Sequence, residues 1–154
     1  MEERERLAVH EAGRAVAACV LTTHFDQVSI VPEQESVKLK PVVDVSAQES
    51  YVLVGFAGPA AVALHTNHRD AAIEMLSQDY DRIVLNVERL LDTGTVSMPR
   101  DVLVVSLWER VLALLVGHWG AVTVLADMLR DFGHVGRNEV QEILAHTTNW
   151  QSRV

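Results

Sequence analysis

Between positions 7 and 21 every residue is small or apolar except His10, Glu11 and Arg14. A proline-free run of this kind reads as α-helix. Because apolar residues run nearly all the way round it, the helix belongs inside the protein rather than on its surface. At ~100° per residue, the three ionisable side chains share one arc with Leu7, Ala17, Ala18 and Leu21, and Val9, Val16 and Val20 lie opposite. Burying ionisable groups is costly unless they are paired, hydrogen-bonded or set in a cavity. Whatever fold this chain adopts must therefore surround a helix that carries a polar arc.

Two explanations of that arc stand side by side. Glu11 and Arg14 are three residues apart and are placed for an internal ion pair, while His10 needs only a backbone carbonyl as partner. Alternatively the arc is a site. His10-Glu11-Ala12-Gly13-Arg14 differs by one residue from H-E-x-x-H. In that motif two histidines one turn apart bind zinc and the glutamate activates the bound water. Small Ala12 and Gly13 let a neighbouring helix approach closely. Arg14 occupies the place of the second histidine, and a guanidinium stays protonated and coordinates no metal. At about 4 Å and an effective dielectric of about 20, its charge opposes each unit of metal charge by on the order of 4 kcal/mol.

The remaining chain predicts a mainly α-helical domain with a small β-sheet or hairpin, a single unit over residues 1–154. The first helix spans about 2–21. Residues 28–32 read as a strand. Alternation over 37–40 and β-branching over 42–45 predict its partners, with Pro32 and Pro41 at edges. A second helix covers about 47–64, where Pro59 kinks it or starts a new segment. Thr66-Asn67-His68 marks a break, and helices follow near 69–76 and 78–91, the latter closing at Gly94. Pro99 opens a helix running to about 116, and Gly117 to Gly120 loosens the chain. Residues 121–132 are helical and closed by Gly133. A short helix covers 137–145, and the polar tail 146–154 is expected to fray.

Charge narrows the partners. Twenty-one acidic residues against 13 Lys plus Arg leave a net charge of -8, with no basic cluster, which argues against nucleic acid and anionic lipid. Peptides, proteins and small molecules remain. The longest unbroken apolar run, 51–64, is short for a membrane span and contains Gly55, Gly58 and Pro59. The charged start, one cysteine (Cys19) and no CxxC pair point to a cytoplasmic protein without disulfides.

The first helix resembles the motif helix of the peptidase domain of FtsH-type membrane AAA proteases: Arg6-Leu7-Ala8-Val9-His10-Glu11-Ala12-Gly13, then Ala15-Val16-Ala17. The family follows it with a valine-serine-isoleucine-x-proline strand, which Val28-Ser29-Ile30-Val31-Pro32 matches. Leu53-Val54-Gly55-Phe56-Ala57-Gly58-Pro59-Ala60-Ala61 is similar to the glycine- and alanine-rich helix behind the family's site, without its acidic residues. Ser77-Gln78-Asp79-Tyr80-Asp81 resembles the helix start that supplies the third zinc ligand, with Asp79 at the ligand position. Residues 124–126 and 136–140 are similar to the closing helices. The resemblance runs from Arg6 to about Leu144 and implies an FtsH peptidase-like fold, with zinc on His10 and Asp79 if metal is bound.

The chain departs from the family at Arg14. It also has neither a G-x-x-x-x-G-K-[ST] loop nor a membrane anchor, so it is expected to stand alone and not to use ATP. Three readings follow. The first is a pseudopeptidase or regulator that has kept the fold, lost the metal and binds a partner. The second is a metal-free acid–base enzyme acting on a small molecule. There Glu11 is the acid or base, Arg14 holds an anionic or carbonyl group, and His10 and Asp79 orient or transfer protons. The third is a zinc peptidase in which Arg14 is engineered, or is compensated by His65 or His68. The histidines at 24, 118, 134 and 146, and Trp108 and Trp119, read as solvated or packing residues.

Overall fold

The computed structural model describes residues 2–31, 45–67, 80–94 and 96–151. Helix α1 is Glu3–Val20 and strand β1 is Gln27–Ser29. Helix α2 is Val45–Thr66, α3 is Tyr80–Asp92, α4 is Arg100–Gly117 and α5 is Trp119–Phe132. Strand β2, His134–Gly136, leads without a loop into α6, Arg137–Gln151. Among the described residues the fold is mainly helical with a small two-stranded antiparallel sheet.

Helix α1 is the axis of the packing, as its all-round apolar surface requires. Ala8, Val9, Ala12, Ala15, Val16, Ala17 and Ala18 are all buried. The helix is enclosed chiefly by α2 and α5, with α4, α6 and β1 completing the shell. Its first turn carries Glu3 and Glu5, which suit the positive end of the helix dipole. Arg6 donates to Glu3 at 2.7 Å, and this bond holds the Glu3 carboxyl below its ordinary range.

Helix α2 continues through Pro59. A proline ring clashes with the carbonyl four residues earlier, and that residue is Gly55, which is exposed with open space around it. The end of α2 is set by Asn67, whose φ of 56° is the left-handed conformation that asparagine tolerates after a helix. Phe56 of α2 meets Trp108 of α4 edge to face, with ring centroids 6.3 Å apart. Between α4 and α5 the chain turns by 80° at His118. No single helix is long and apolar enough to cross a membrane among the described residues.

Strand β1 pairs with β2, a partner the sequence did not indicate, in the register Gln27↔Gly136, Val28↔Val135, Ser29↔His134. Val28 and Val135 face each other in the core. Ile30 N–H donates to the Gly133 carbonyl at 2.9 Å, and Arg137 N–H donates to the Asp26 carbonyl at 3.0 Å, so both ends of the ladder are closed. The expected strands at 37–40 and 42–44 lie outside the described residues, as does the helix expected at 69–76. Val45, expected in a strand, opens α2 instead. The C-terminal helix also runs further than expected, to Gln151 rather than 145. Thr147 turns its hydroxyl onto the Ile143 carbonyl at 3.0 Å and so does not interrupt it.

Gly133 closes α5 at φ 86°, with its N–H on the Leu129 carbonyl. A Cβ there would lie 3.1 Å from Val31 Cγ2. Gly133→Ala is expected to lower stability by about 1–2 kcal/mol, from left-handed strain plus crowding at the sheet. Urea denaturation would read this as a lower midpoint at unchanged slope. An unchanged midpoint would contradict the assigned turn.

Candidate functional site

His10, Glu11 and Arg14 sit midway along α1, and His10 is the one that meets α2, at Gly58. Glu11 is buried, 8% exposed. One of its carboxylate oxygens accepts from His10 Nδ1 at 3.0 Å, which places the ring proton on that nitrogen. The other accepts from Arg14 Nη1 at 3.1 Å. The side chains of His10 and Arg14 are 23% and 24% exposed, so solvent reaches both flanks of a carboxylate that is itself covered. The ion pair weighed from the spacing is therefore present. The imidazole, however, turns to Glu11 rather than to a backbone carbonyl.

The glycines of α1 and α2 make this arrangement possible. A Cβ on Gly13 would fall 2.4 Å from Ala61 Cβ and 2.7 Å from the Ala57 carbonyl oxygen. A Cβ on Gly58 would fall 2.5 Å from His10 Cε1 and Nε2. The two backbones approach where each lacks a side chain, and the Nε2 edge of the imidazole fills the gap that Gly58 leaves. The close approach at Gly13 follows from its size, as expected. The role of Gly58 as the seat of His10 was not foreseen. Its only signal was a second small-residue run, Ala57-Gly58-Pro59-Ala60-Ala61, in another buried helix.

Asp79, His68 and the segment 77–79 that resembles the third-ligand turn lie outside the described residues. His65 is engaged elsewhere: its Nε2 meets Glu5 Oε1 at 3.1 Å, in the first turns of α1. His24 contacts Asp26 and Arg137 near the sheet. Burial pushes the Cys19 thiol up from its ordinary range, which leaves little thiolate for nucleophilic chemistry.

Zinc is a poor fit to the described residues. No group of three His, Cys, Asp or Glu side chains converges among them. In place of a second imidazole there is a guanidinium, already committed to Glu11. A cation held on His10 here would meet the fixed charge of Arg14, and the Glu11 carboxylate that would act on its bound water is already hydrogen-bonded to Arg14 and His10. The chemistry this constellation can supply is that of a half-covered cation–carboxylate pair flanked by an imidazole. It can accept or donate hydrogen bonds and can hold a small anionic or carbonyl group at Arg14.

No protein-family model matches this chain, and no curated protein matches it in sequence.

Proposed function

We propose that the chain is an FtsH-peptidase-like domain whose zinc site is broken, and that it acts by binding rather than by hydrolysis, as a pseudopeptidase or regulatory module. The observation that carries this reading is the Arg14–Glu11 pair at 3.1 Å. A zinc peptidase needs its glutamate free to take a proton from metal-bound water. Here the same carboxylate is bonded on one oxygen to a permanent cation and on the other to His10. The glycine- and alanine-rich helix packed against His10 supports the family part of the reading, since the resemblance implies such a helix behind the site.

A metal-free acid–base enzyme is the second reading, and the partial exposure of His10 and Arg14 around a buried glutamate favours it. One experiment separates hydrolysis from both. The protein supplied with excess Zn²⁺ is expected to leave unfolded casein uncut, and Glu11→Gln is expected to behave identically. Cleavage that Glu11→Gln abolishes would overturn the proposal. Turnover of a small molecule, without proteolysis, that is lost in Glu11→Gln would favour the second reading.

A further inference from the structure

Helices α5 and α6 leave a groove between them that is separate from the His10–Glu11–Arg14 arc. Its cavity volume is about 280 Å³. Val124 and Met128 of α5 and Ile143 and Thr147 of α6 form its apolar floor, and Glu139, Glu142 and His146 stand at its rim. The hydroxyl of Thr147 is spent on its own helix, and its methyl lies toward Gly120 at the start of α5. Met128 is an unbranched, polarizable side chain that adapts to different occupants. Val124 is 43% exposed, so an apolar surface is left open to water.

The charge at the rim decides what fits. Glu139 and Glu142 are three residues apart on one face of α6, where like charges repel. Both are exposed, and among the described residues neither has a basic partner. The whole chain adds to this field with a net charge of -8, which steers cationic partners and repels anionic lipid. An apolar floor between two helices with a carboxylate rim is the complement of an amphipathic helix bearing lysine or arginine beside its apolar face. We infer that the α5–α6 groove docks a basic amphipathic helix of a partner protein, its apolar residues over Val124, Met128 and Ile143 and its cations over Glu139 and Glu142.

The test uses a fluorescein-labelled peptide of about 18 residues, made only of leucine and lysine with leucine at i, i+3, i+4 spacing. Its anisotropy is followed on titration with the full chain. Val124→Lys places a cation in the groove at an exposed position and is expected to weaken binding by about tenfold or more. Glu139→Gln with Glu142→Gln is expected to weaken it by about tenfold. Val105→Lys makes the same charge change on the outer face of α4, where Val105 is 61% exposed, and is expected to change binding by less than about twofold. Equal weakening by Val124→Lys and Val105→Lys would mean attraction to the net charge alone and would overturn the inference. Failure of the peptide to bind, or equal binding of its leucine–glutamate counterpart, would overturn it as well.

Discussion

Gly13→Ala is expected to destabilise the protein by about 3 kcal/mol, although alanine is the better helix former by about 1 kcal/mol. The reason is the approach of α2. The added methyl would fall 2.4 Å from Ala61 Cβ and 2.7 Å from the Ala57 carbonyl. The second of these is backbone, so relief requires the two helices to move apart rather than one side chain to rotate. Ala57 and Ala61 are both buried at this contact, and separation would loosen them. For a chain of this length the loss corresponds to a fall in melting temperature of roughly 6–12 °C. Gly55→Ala is the internal control, because no atom lies within 4 Å of a Cβ there. That substitution is expected to gain about 0.5–1 kcal/mol from helix propensity. Opposite signs for two glycine-to-alanine changes in facing helices would be hard to obtain any other way. The same sign for both would contradict the α1–α2 contact.

Glu11→Ala is expected to cost about 2–3 kcal/mol, the second large effect. The side chain of Glu11 is 10% exposed and those of its partners are near a quarter exposed, so the interaction is screened less than a surface pair. Removing the carboxylate leaves the Arg14 guanidinium and the His10 Nδ1 proton half-covered without their shared acceptor. Replacing Arg14 with methionine in the same chain should recover part of the loss, since the cation that Glu11 accepted from leaves with it. Chemical denaturation of the two single variants and the double would give a coupling of about 1–2 kcal/mol. A coupling near zero would mean that the pair contributes no more than an exposed one, and the polar arc would lose its structural explanation.

How far the sequence carried depends on the range of the interaction being read. The first helix was legible almost to the residue, 2–21 against Glu3–Val20, because its apolar residues are local and dense. The ends at Asn67, Gly94 and Gly133 were legible for a similar reason: each takes positive φ, and each was a turn-type residue at the end of a periodic stretch. The pairing of β1 with β2 was not legible. His134-Val135-Gly136 offers one apolar residue between a histidine and a glycine, too short for alternation to register. What holds it is non-local, namely Val28 against Val135 and the backbone bonds at Gly133 and Asp26. The last helix was cut short because Thr147, Thr148 and Asn149 read as a polar tail. In the fold, the hydroxyl of Thr147 bonds within the helix.

At the candidate site, composition and spacing brought His10, Glu11 and Arg14 together correctly, since one helix carries all three. They did not show which atoms would meet. The imidazole turns to Glu11 because Gly58 opens a place for the ring on the facing helix, and that depends on the register between α1 and α2. Asp79, the fourth residue of interest, comes from a separate stretch of chain, and no local pattern relates it to the other three.

Elemental mass spectrometry of the protein, purified without chelator, is the most direct test of the claim that Arg14 has replaced a metal ligand with a fixed charge. The account predicts less than about one zinc in ten chains, because the guanidinium stands where a second imidazole would bind and its charge opposes the cation. About one zinc per chain would contradict it, and would mean that another residue supplies the missing ligand while Arg14 moves aside.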